Sequence, residues 1–382
     1  PTVTGVQTCA LPILKKNFIR ISFFALAVLL VISAAACNRS EPQESETATV
    51  EVKTAPVAAV QPDKKTYKVG FSNVWVGNSW GVQCVNEIES YLKNSDRVSD
   101  YFITDANNDT NKQISDIQDL LSKDIDLLLL QPISPDAVAP IIEEAYDKGV
   151  VVVTCASPVG TDKYHASVLA KDEDFGRTGM EWLAKELNGK GNIIILNGMA
   201  GLTVAVNRRA GVQEVLDQYP DIKVLGEEYA DWDYAKGKVA TENLLSAFPE
   251  IDGVWSCGGD MTRGAIEAFQ AAGRSLVPMT GEDNNGFLKL WKLNEGNGFT
   301  SIATSMPTWL FAAGAEVGLN ILDGVGEKED IIVDIPVITK ETLDQFVRED
   351  LSDSFWANTR MPEKDIEALY GNGNDGTQGL KK

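Results

Sequence analysis

Residues 72–80, Ser-Asn-Val-Trp-Val-Gly-Asn-Ser-Trp, combine two indole rings with amide and hydroxyl side chains around a glycine. Indole faces cover the apolar faces of a sugar ring, and an amide such as that of Asn78 both donates and accepts hydrogen bonds toward hydroxyl groups. The stretch therefore favours a polyhydroxylated ligand, with Trp75, Asn78 and Trp80 as candidate contacts. The alternative is that Trp75 and Trp80 are partly buried packing residues.

The elements that position this stretch are predicted to be those of an α/β fold. A strand is predicted at 68–71, just before it, and residues 101–154 predict two consecutive βαβ units whose helices begin near Thr110 and Ser134. The nearly continuous leucine run at 125–130 fits a strand of a parallel sheet that is covered on both faces. Strands and helices alternate without a hairpin signal, which predicts a doubly wound sheet. In such sheets, loops at the carboxyl ends of the strands bind ligands.

The N-terminal part of the chain indicates export. No function is assigned to residues 1–13, but a basic segment then precedes an apolar run at 21–32 that is too short to span a bilayer. Small residues follow, up to Cys37, and resemble a bacterial lipoprotein signal. Cys37 is therefore the candidate lipidation site, and ordinary secretion with cleavage nearby is the alternative. Residues 38–65, rich in Glu, Pro, Thr and Ala, predict a flexible tether.

The charge balance excludes some partners. The chain carries a net charge of −21, and residues 1–37 hold three basic residues and no acidic one, so the remainder carries −24. A nucleic-acid partner is not expected, because phosphate binding needs a basic surface. One histidine and no CxxC motif make a zinc site unexpected, and no cofactor or metal is predicted. Cys84, Cys155 and Cys257 allow one disulfide, but the sequence does not choose the pair.

Five runs of the chain carry a shared pattern, at residues 69–80, 105–109, 113–117, 131–134 and 150–154. Together they resemble the ribose- and galactose-type sugar-binding proteins of bacterial ABC importers. The resemblance extends to about residue 340 and implies two doubly wound, parallel-sheet lobes joined by a three-strand hinge, the type I periplasmic binding protein fold. It also implies that one sugar binds in the cleft between the lobes and that the protein is not an enzyme.

The resemblance also implies a division into lobes. Residues 343–370 are expected to form a helical extension packed on the second lobe. The predicted division is 66–170 plus 305–336 for the N-terminal lobe, 171–304 plus 337–370 for the C-terminal lobe, and 371–382 as a disordered tail.

Three further site residues follow from matching positions in the resembled family. Arg208 matches an arginine that holds ring or hydroxyl oxygens, Trp232 matches a stacking aromatic, and Glu282 matches an acidic residue that accepts from hydroxyl groups. Asp283 and Asn284 are neighbours of Glu282 within alignment error. The alternatives are a surface salt bridge for Arg208 and packing against the following helix for Trp232.

Other positions are less specific or depart from the family pattern. Asp260 is expected either to bind a hydroxyl or to cap a helix, and Ser305 is expected near the cleft, at the end of a strand that returns through the hinge. Ala156 and Ser157 stand where many family members carry an acidic residue and an arginine, and Gly258-Gly259 stands where an Asn-Asp pair is common. These departures predict a change in which ligand is accepted.

We therefore expect an extracytoplasmic solute-binding protein, located in the periplasm or lipid-anchored on the outer face of the cell membrane. As a monomer it would capture a monosaccharide or polyol for a membrane ABC permease. The alternative is a sugar-sensing receptor for chemotaxis or for a sensor kinase. Glycoside hydrolysis would need two acids that flank one scissile bond, which the adjacent Glu282 and Asp283 do not suggest.

Overall fold

The computed structural model describes residues 65–380, which form two α/β lobes. The strands are β1 (Tyr67–Asn73), β2 (Val98–Asp105), β3 (Leu127–Leu130), β4 (Val151–Cys155), β5 (Ala166–Ala170), β6 (Lys190–Asn197), β7 (Asp221–Tyr229), β8 (Gly253–Ser256), β9 (Met279–Glu282), β10 (Ser301–Thr304), β11 (Glu329–Val333) and β12 (Val337–Ile338). The helices are α1 (Ser79–Asn94), α2 (Thr110–Leu121), α3 (Pro135–Asp147), α4 (Asp172–Glu186), α5 (Thr203–Leu216), α6 (Tyr234–Ala247), α7 (Gly259–Ala271), α8 (Asn285–Asn294), α9 (Leu310–Leu322) and α10 (Glu363–Tyr370).

The first lobe is a parallel sheet in the order β11-β5-β4-β3-β1-β2. All four leucines of β3 are buried, as expected for a strand covered on both faces. The predicted helix at Thr110 is α2, but its N-cap is Asp109, whose carboxylate accepts from the backbone N–H groups of Asn111 and Lys112. Asp109 is a strong N-cap residue and lies one position before Thr110, where the helix was predicted to begin.

The second lobe is a sheet in the order β12-β10-β9-β8-β6-β7. Its strands are parallel except β12, which pairs antiparallel with β10. The isoleucines of β6 are fully buried against a core that includes Trp255 and Trp291. Residues of such shape and size at consecutive positions fit a strand with helices on both faces.

The chain crosses between the lobes three times. The crossings lie between β5 and α4, between β10 and α9, and between β11 and β12. As a result, α9 packs on β3, β4 and β5 of the first lobe although it follows β10 of the second. The predicted fold, two doubly wound lobes joined by three connections, is confirmed.

Residues 343–380, here called the C-terminal segment, differ from the prediction. Within them α10 is the one α-helix, and 3-10 turns lie at Leu343–Gln345 and Thr377–Gly379. Leu343 packs in the core of the second lobe, whereas the Asn86 amide on α1 of the first lobe donates to the Gly376 carbonyl at 2.9 Å. The segment therefore contacts both lobes. The prediction of disorder is wrong for 371–380, because long-range hydrogen bonds that the sequence does not reveal hold this stretch.

Other predictions concern the N-terminal part of the chain, the cysteines, and membrane or metal sites. The leader, Cys37 and residues 38–64 of the tether lie outside the described residues. Cys84, Cys155 and Cys257 are buried and free. Within residues 65–380, no helix is both long and apolar enough to cross a bilayer, and no cluster of metal-ligating side chains is found.

Candidate functional site

A cavity of about 100 Å³ lies between the two lobes. Loops that follow strands of both sheets contribute to its wall, as expected for ligand sites of parallel α/β sheets. Seven of the nine predicted site residues line it: Trp75, Asn78, Trp80, Arg208, Trp232, Asp260 and Glu282.

The first lobe contributes residues of the loop between β1 and α1. Asn78 is the N-cap of α1, and its side-chain oxygen accepts from the Gly81 N–H at 2.8 Å, which fixes the amide at the cavity wall. Trp75 packs closely over Gly77, where an added Cβ would lie 1.8 Å from the indole ring. Only glycine permits this approach, so Gly77 sets the position of the Trp75 ring.

Trp80 combines packing with exposure to the cavity. Its Nε1–H donates to the Met306 carbonyl at 2.8 Å, and its ring meets Phe311 edge-on with centroids 6.3 Å apart. Because the polar edge of the indole is satisfied within the first lobe, the ring has a fixed orientation. The packing interpretation and the ligand-wall interpretation are therefore compatible for this residue.

Arg208 projects from α5 of the second lobe and is 3% exposed. Its guanidinium lies over the Phe175 ring at 3.6 Å, its Nε donates to Asp172 at 3.2 Å and its Nη1 donates to the Cys257 carbonyl at 3.1 Å. The salt bridge is thus buried beside the cavity and does not lie on the helix surface. Arg209, by contrast, is half-buried and pairs with a partly exposed carboxylate away from the cavity.

Glu282 lies at the end of β9, beside Arg208. Its Oε1 is 3.6 Å from Nη1 of Arg208 and accepts from the Met306 N–H at 3.2 Å. Burial raises the pKa of Glu282 to about 8, although the guanidinium acts in the opposite direction. Burial likewise raises the pKa of Asp172 to about 6, again opposed by Arg208. At neutral pH, Glu282 is therefore mainly a neutral carboxyl group that both donates and accepts hydrogen bonds.

Trp232 follows β7 in a loop with unusual backbone geometry. Asp231 and Trp232 both have φ of +53°. The Trp232 Nε1–H donates to the Cys257 carbonyl at 3.0 Å, and the ring lies against Gly198 and Gly258, where an added Cβ would come within 2.1 Å and 2.8 Å of it. The indole is thus held between glycine loops of the second lobe and faces the cavity, instead of being confined to contacts with α6.

Asp260 joins the lobes across the cavity. The N-cap of α7 is Gly258, so Asp260 does not cap the helix. Its carboxylate accepts instead from Oγ of Ser79, on α1 of the first lobe, at 2.5 Å. Burial raises the pKa of Asp260 to about 6, against the hydrogen bond from Ser79. The lobes also meet where the Asn108 amide lies 3.2 Å from the Met199 sulfur, so the structure is a closed form.

Asn284 and Ser305 are not brought to the cavity. Asn284 is the N-cap of α8 and accepts from the Phe287 N–H at 3.1 Å, and Oγ of Ser305 accepts from the Asn358 amide at 3.1 Å. Asp283 also faces away, since its carboxylate accepts from the Asn358 N–H at 2.7 Å. After Glu282 the chain turns away from the cavity and toward the C-terminal segment. The sequence did not reveal this change of direction.

Sequence reasoning missed other functional residues. Asp172 does not line the cavity but holds Arg208, and its place directly after a strand that crosses between lobes is a signal that could have identified it. Trp356 lines the cavity from the C-terminal segment, and nothing in the local sequence links it to the loops of either lobe. Other wall residues that were not predicted as ligand contacts include Gln131, Leu202, Val204 and Met306.

Residues 69–328 match the protein family described as "Periplasmic binding protein domain". The chain belongs to this family. As a periplasmic binding protein it works outside the cytoplasm, and its family consists of substrate-binding proteins. It is 32% identical over 240 residues to a xylitol-binding protein of Mycolicibacterium smegmatis, covering 63% of this chain and 68% of that relative. It is 28% identical over 264 residues to a ribose import binding protein of Bacillus subtilis, covering 68% and 81%.

A solved structure supports the same fold for this periplasmic binding protein. The solute-binding protein of an ABC transporter from Bacillus halodurans C-125, with bound myo-inositol, aligns with a TM-score of 0.67 at 22% identity. The alignment covers 75% of this chain and 99% of that structure. At this identity the likeness concerns the two-lobe architecture.

Proposed function

We propose that this periplasmic binding protein captures a neutral monosaccharide or polyol between its lobes and delivers it to a membrane ABC permease. One observation carries the proposal. A planar cationic fork, Arg208, and the indole faces of Trp75, Trp80 and Trp232 converge from separate lobes on one cavity. Relatives that bind xylitol and ribose agree with a small polyhydroxylated ligand.

The charges around the cavity favour a neutral ligand. Arg208 is the positively charged side chain that lines the cavity. It is already paired with Asp172 and lies beside Glu282. Asp260 adds another carboxyl group to the wall. A ligand phosphate or carboxylate would therefore lie among carboxyl groups without a free cation to pair with, which costs free energy at such short distances. Hydroxyl groups, in contrast, can donate to these carboxyl groups and accept from the guanidinium.

The adjacent acidic residues Glu282 and Asp283 do not form a hydrolytic pair. A glycosidase needs two carboxyl groups that flank one scissile bond. Glu282 faces the cavity, but the Asp283 carboxylate binds the backbone of Asn358 outside it. The adjacent pair therefore cannot act on one bound sugar. A product assay with the ligand identified below tests this, and conversion of the ligand would contradict it.

A thermal-shift panel tests the ligand class. The purified protein is heated with ribose, xylitol, myo-inositol or ribose 5-phosphate, the last being a matched anionic control. A ligand that binds only the folded state raises the melting temperature, because it stabilises that state. At a hundred times its Kd it adds about 2.7 kcal/mol to the free energy of unfolding. We expect at least one neutral compound to raise it and ribose 5-phosphate to leave it unchanged. No shift with any neutral compound, or a larger shift with the phosphate ester, contradicts the proposal.

We further propose that Cys37 carries a lipid that holds the protein at the outer face of the membrane. The support is the basic, apolar and small-residue sequence that precedes this cysteine. In cells that export the protein, labelled palmitate should be incorporated into the wild type and not into Cys37→Ser. A labelled Cys37→Ser protein would exclude this anchor.

A further inference from the structure

Trp356 is an indole of the cavity wall that belongs to neither sheet. It is 4% exposed and lines the cavity together with residues of both lobes. Its Nε1–H donates at 2.9 Å to Oγ of Ser79, the same hydroxyl that donates to Asp260 across the cleft. Trp356 lies beyond residues 69–328, the part of the chain that matches the family. The wall thus includes a residue from outside the matched part of the chain.

A polar stripe on α1 holds the C-terminal segment on the first lobe. Each member has another member three or four residues away, so they share one face of the helix. Each is hydrogen-bonded to the segment: Gln83, Asn86, Glu87, Ser90 and Asn94. These side chains, except that of Asn94, are buried. A buried stripe of polar residues on a helix is stable only when its partners are in place, so the segment is part of the folded protein.

Gln83 fixes the backbone of Trp356 itself. Its Nε2 donates to the Trp356 carbonyl and its Oε1 accepts from the Trp356 N–H, both at 2.8 Å. Gln83 is fully buried and is not among the residues that line the cavity. One side chain of the first lobe, outside the cavity wall, therefore fixes the backbone that carries this indole.

The second lobe holds the same segment from the other side. The Asn285 N–H at the start of α8 donates to the Phe355 carbonyl at 2.7 Å, and the Gly286 N–H donates to the Asp353 carbonyl at 3.0 Å. Asn358, two residues after Trp356, donates from its amide to Oγ of Ser305 in the crossing between β10 and α9. Trp356 thus sits between attachments to both lobes and next to a crossing.

We propose that Trp356 is a ligand-contacting residue of the cleft, and that the docking of the C-terminal segment on both lobes sets its position. The inference rests on the proposed function, because it assigns Trp356 to the wall that the polyol contacts. An indole from this segment adds a further flat face to those of Trp75, Trp80 and Trp232 and narrows the set of rings that fit. The segment is therefore a determinant of ligand specificity.

Matched variants test the assignment. Affinity is measured by titration calorimetry for ribose, xylitol and myo-inositol. Trp356→Phe shortens the ring and removes its N–H donor, so we expect about three- to tenfold weaker binding of the tightest compound. Trp291→Phe is the control, since Trp291 is fully buried in the second lobe away from the cavity. It should bind as the wild type does.

A second pair of variants separates positioning from contact. Gln83→Met removes both hydrogen bonds to the Trp356 backbone without changing the cavity wall, and should weaken binding by a similar factor. Gln270→Met is its control, because Gln270 on α7 bonds to Asn294 of α8 and not to the segment. In spectra of protein labelled with ¹⁵N at tryptophan, the indole N–H peak that is missing in Trp356→Phe should move when ligand is added. The peak missing in Trp291→Phe should not.

The outcomes distinguish this inference from the proposed function. If the wild type binds a polyol while Trp356→Phe binds it equally well and the Trp356 peak does not move, the inference is wrong and the proposed function stands. A wild type that binds none of the three compounds overturns both. Weaker binding in Trp356→Phe and Gln83→Met, with both controls unchanged, supports the inference.

Discussion

At the scale of single residues, Arg208 both faces the ligand cavity and compensates buried charge, and Arg208→Ala would remove both functions at once. It faces the cavity, and it is also the cation nearest to two buried carboxyl groups, 3.2 Å from Asp172 and 3.6 Å from Glu282. Removing one partner of a buried ion pair leaves a carboxyl group without compensation, which costs about 3–5 kcal/mol of stability. A variant that retains the charge is therefore needed to observe the binding function alone.

We predict that Arg208→Ala and Arg208→Lys both weaken polyol binding about tenfold or more, because neither offers the planar fork of donors. Only Arg208→Ala should also lose much of the free energy of unfolding, since lysine retains the positive charge. Titration calorimetry and urea unfolding measure the two effects. Arg209→Ala is the control, as Arg209 lies outside the cavity wall. An Arg208→Lys protein with wild-type affinity would show that the fork is not used.

Glu282 gives a prediction about pH. Burial raises its pKa from 4.5 to about 8, so between these values the folded protein keeps a proton that the unfolded chain has released. The contribution of Glu282 to stability is thus complete below about pH 4.5 and is lost as the pH rises through about 8. Burial raises the pKa of Asp172, Asp260 and Asp283 only to about 6, so among these four groups Glu282 dominates the interval from pH 6 to 8.

Glu282→Gln should flatten the fall in unfolding free energy between pH 6 and 8, by an amount on the order of a few kcal/mol. The measurement is urea unfolding at half-unit steps from pH 5 to 9. Glu144→Gln, a change at an exposed residue of α3, is the control and should keep the wild-type slope. Parallel curves for the wild type and Glu282→Gln would mean that Glu282 is ionised throughout this range.

At the scale of secondary structure, the sequence predicted what depends on local pattern. The leucines of β3 and the starts of α2 and α3 to within a residue could be recognised, because burial on both faces and helix initiation depend on neighbouring residues. The same holds for the loop that carries Trp75 and Trp80, which follows directly from the end of β1. The sequence did not show that Asn284 caps α8 or that Ser305 binds Asn358 of the distant C-terminal segment, and both lie away from the cavity.

The loop after β6 and the loop after β7 position one indole together, which allows a test. A Cβ at Gly198 would lie 2.1 Å from the Trp232 ring, closer than any side chain tolerates. Gly198→Ala should therefore displace the indole and weaken polyol binding about three- to tenfold, with a smaller effect on stability. Gly296→Ala is the control, since nothing lies within 4 Å of its added Cβ.

Fluorescence of the protein with and without ligand measures the change at the indole, and calorimetry measures the affinity. If Gly198→Ala binds as tightly as the wild type, the Trp232 ring does not need its present position for binding. If Gly296→Ala weakens binding too, the effect is a general consequence of adding a side chain and says nothing about Trp232.

At the scale of the whole molecule, the closed arrangement depends on contacts between residues far apart in the chain. Ser79 and Asp260 are 181 positions apart, and Gln83 and Trp356 are 273 apart. No local pattern encodes such pairs. For this reason the sequence predicted two lobes and a cleft, but neither the hydrogen bond that joins the lobes across it nor the indole that the C-terminal segment contributes.

The bond from Ser79 to Asp260 should affect the balance between open and closed forms. A hydrogen bond to a charged group contributes about 1.5–3 kcal/mol, and this one can form only when the lobes meet. Ser79→Ala should therefore shift the unliganded protein toward the open form and weaken polyol binding about tenfold, because ligand must then supply the free energy of closure. Small-angle X-ray scattering of the unliganded protein should show a larger radius of gyration, and calorimetry gives the affinity.

Two other variants test whether the effect is specific to the hydrogen bond from Ser79 to Asp260. Ser122→Ala removes an exposed hydroxyl that bonds only within its own helix turn, so both quantities should stay at wild-type values. Trp356→Phe removes the donor to the Ser79 hydroxyl but leaves the bond from Ser79 to Asp260, so it should weaken binding without expanding the unliganded protein. If Ser79→Ala scatters like the wild type, or if Trp356→Phe expands the protein equally, closure is controlled by the hinge or by the C-terminal segment and not by this hydrogen bond.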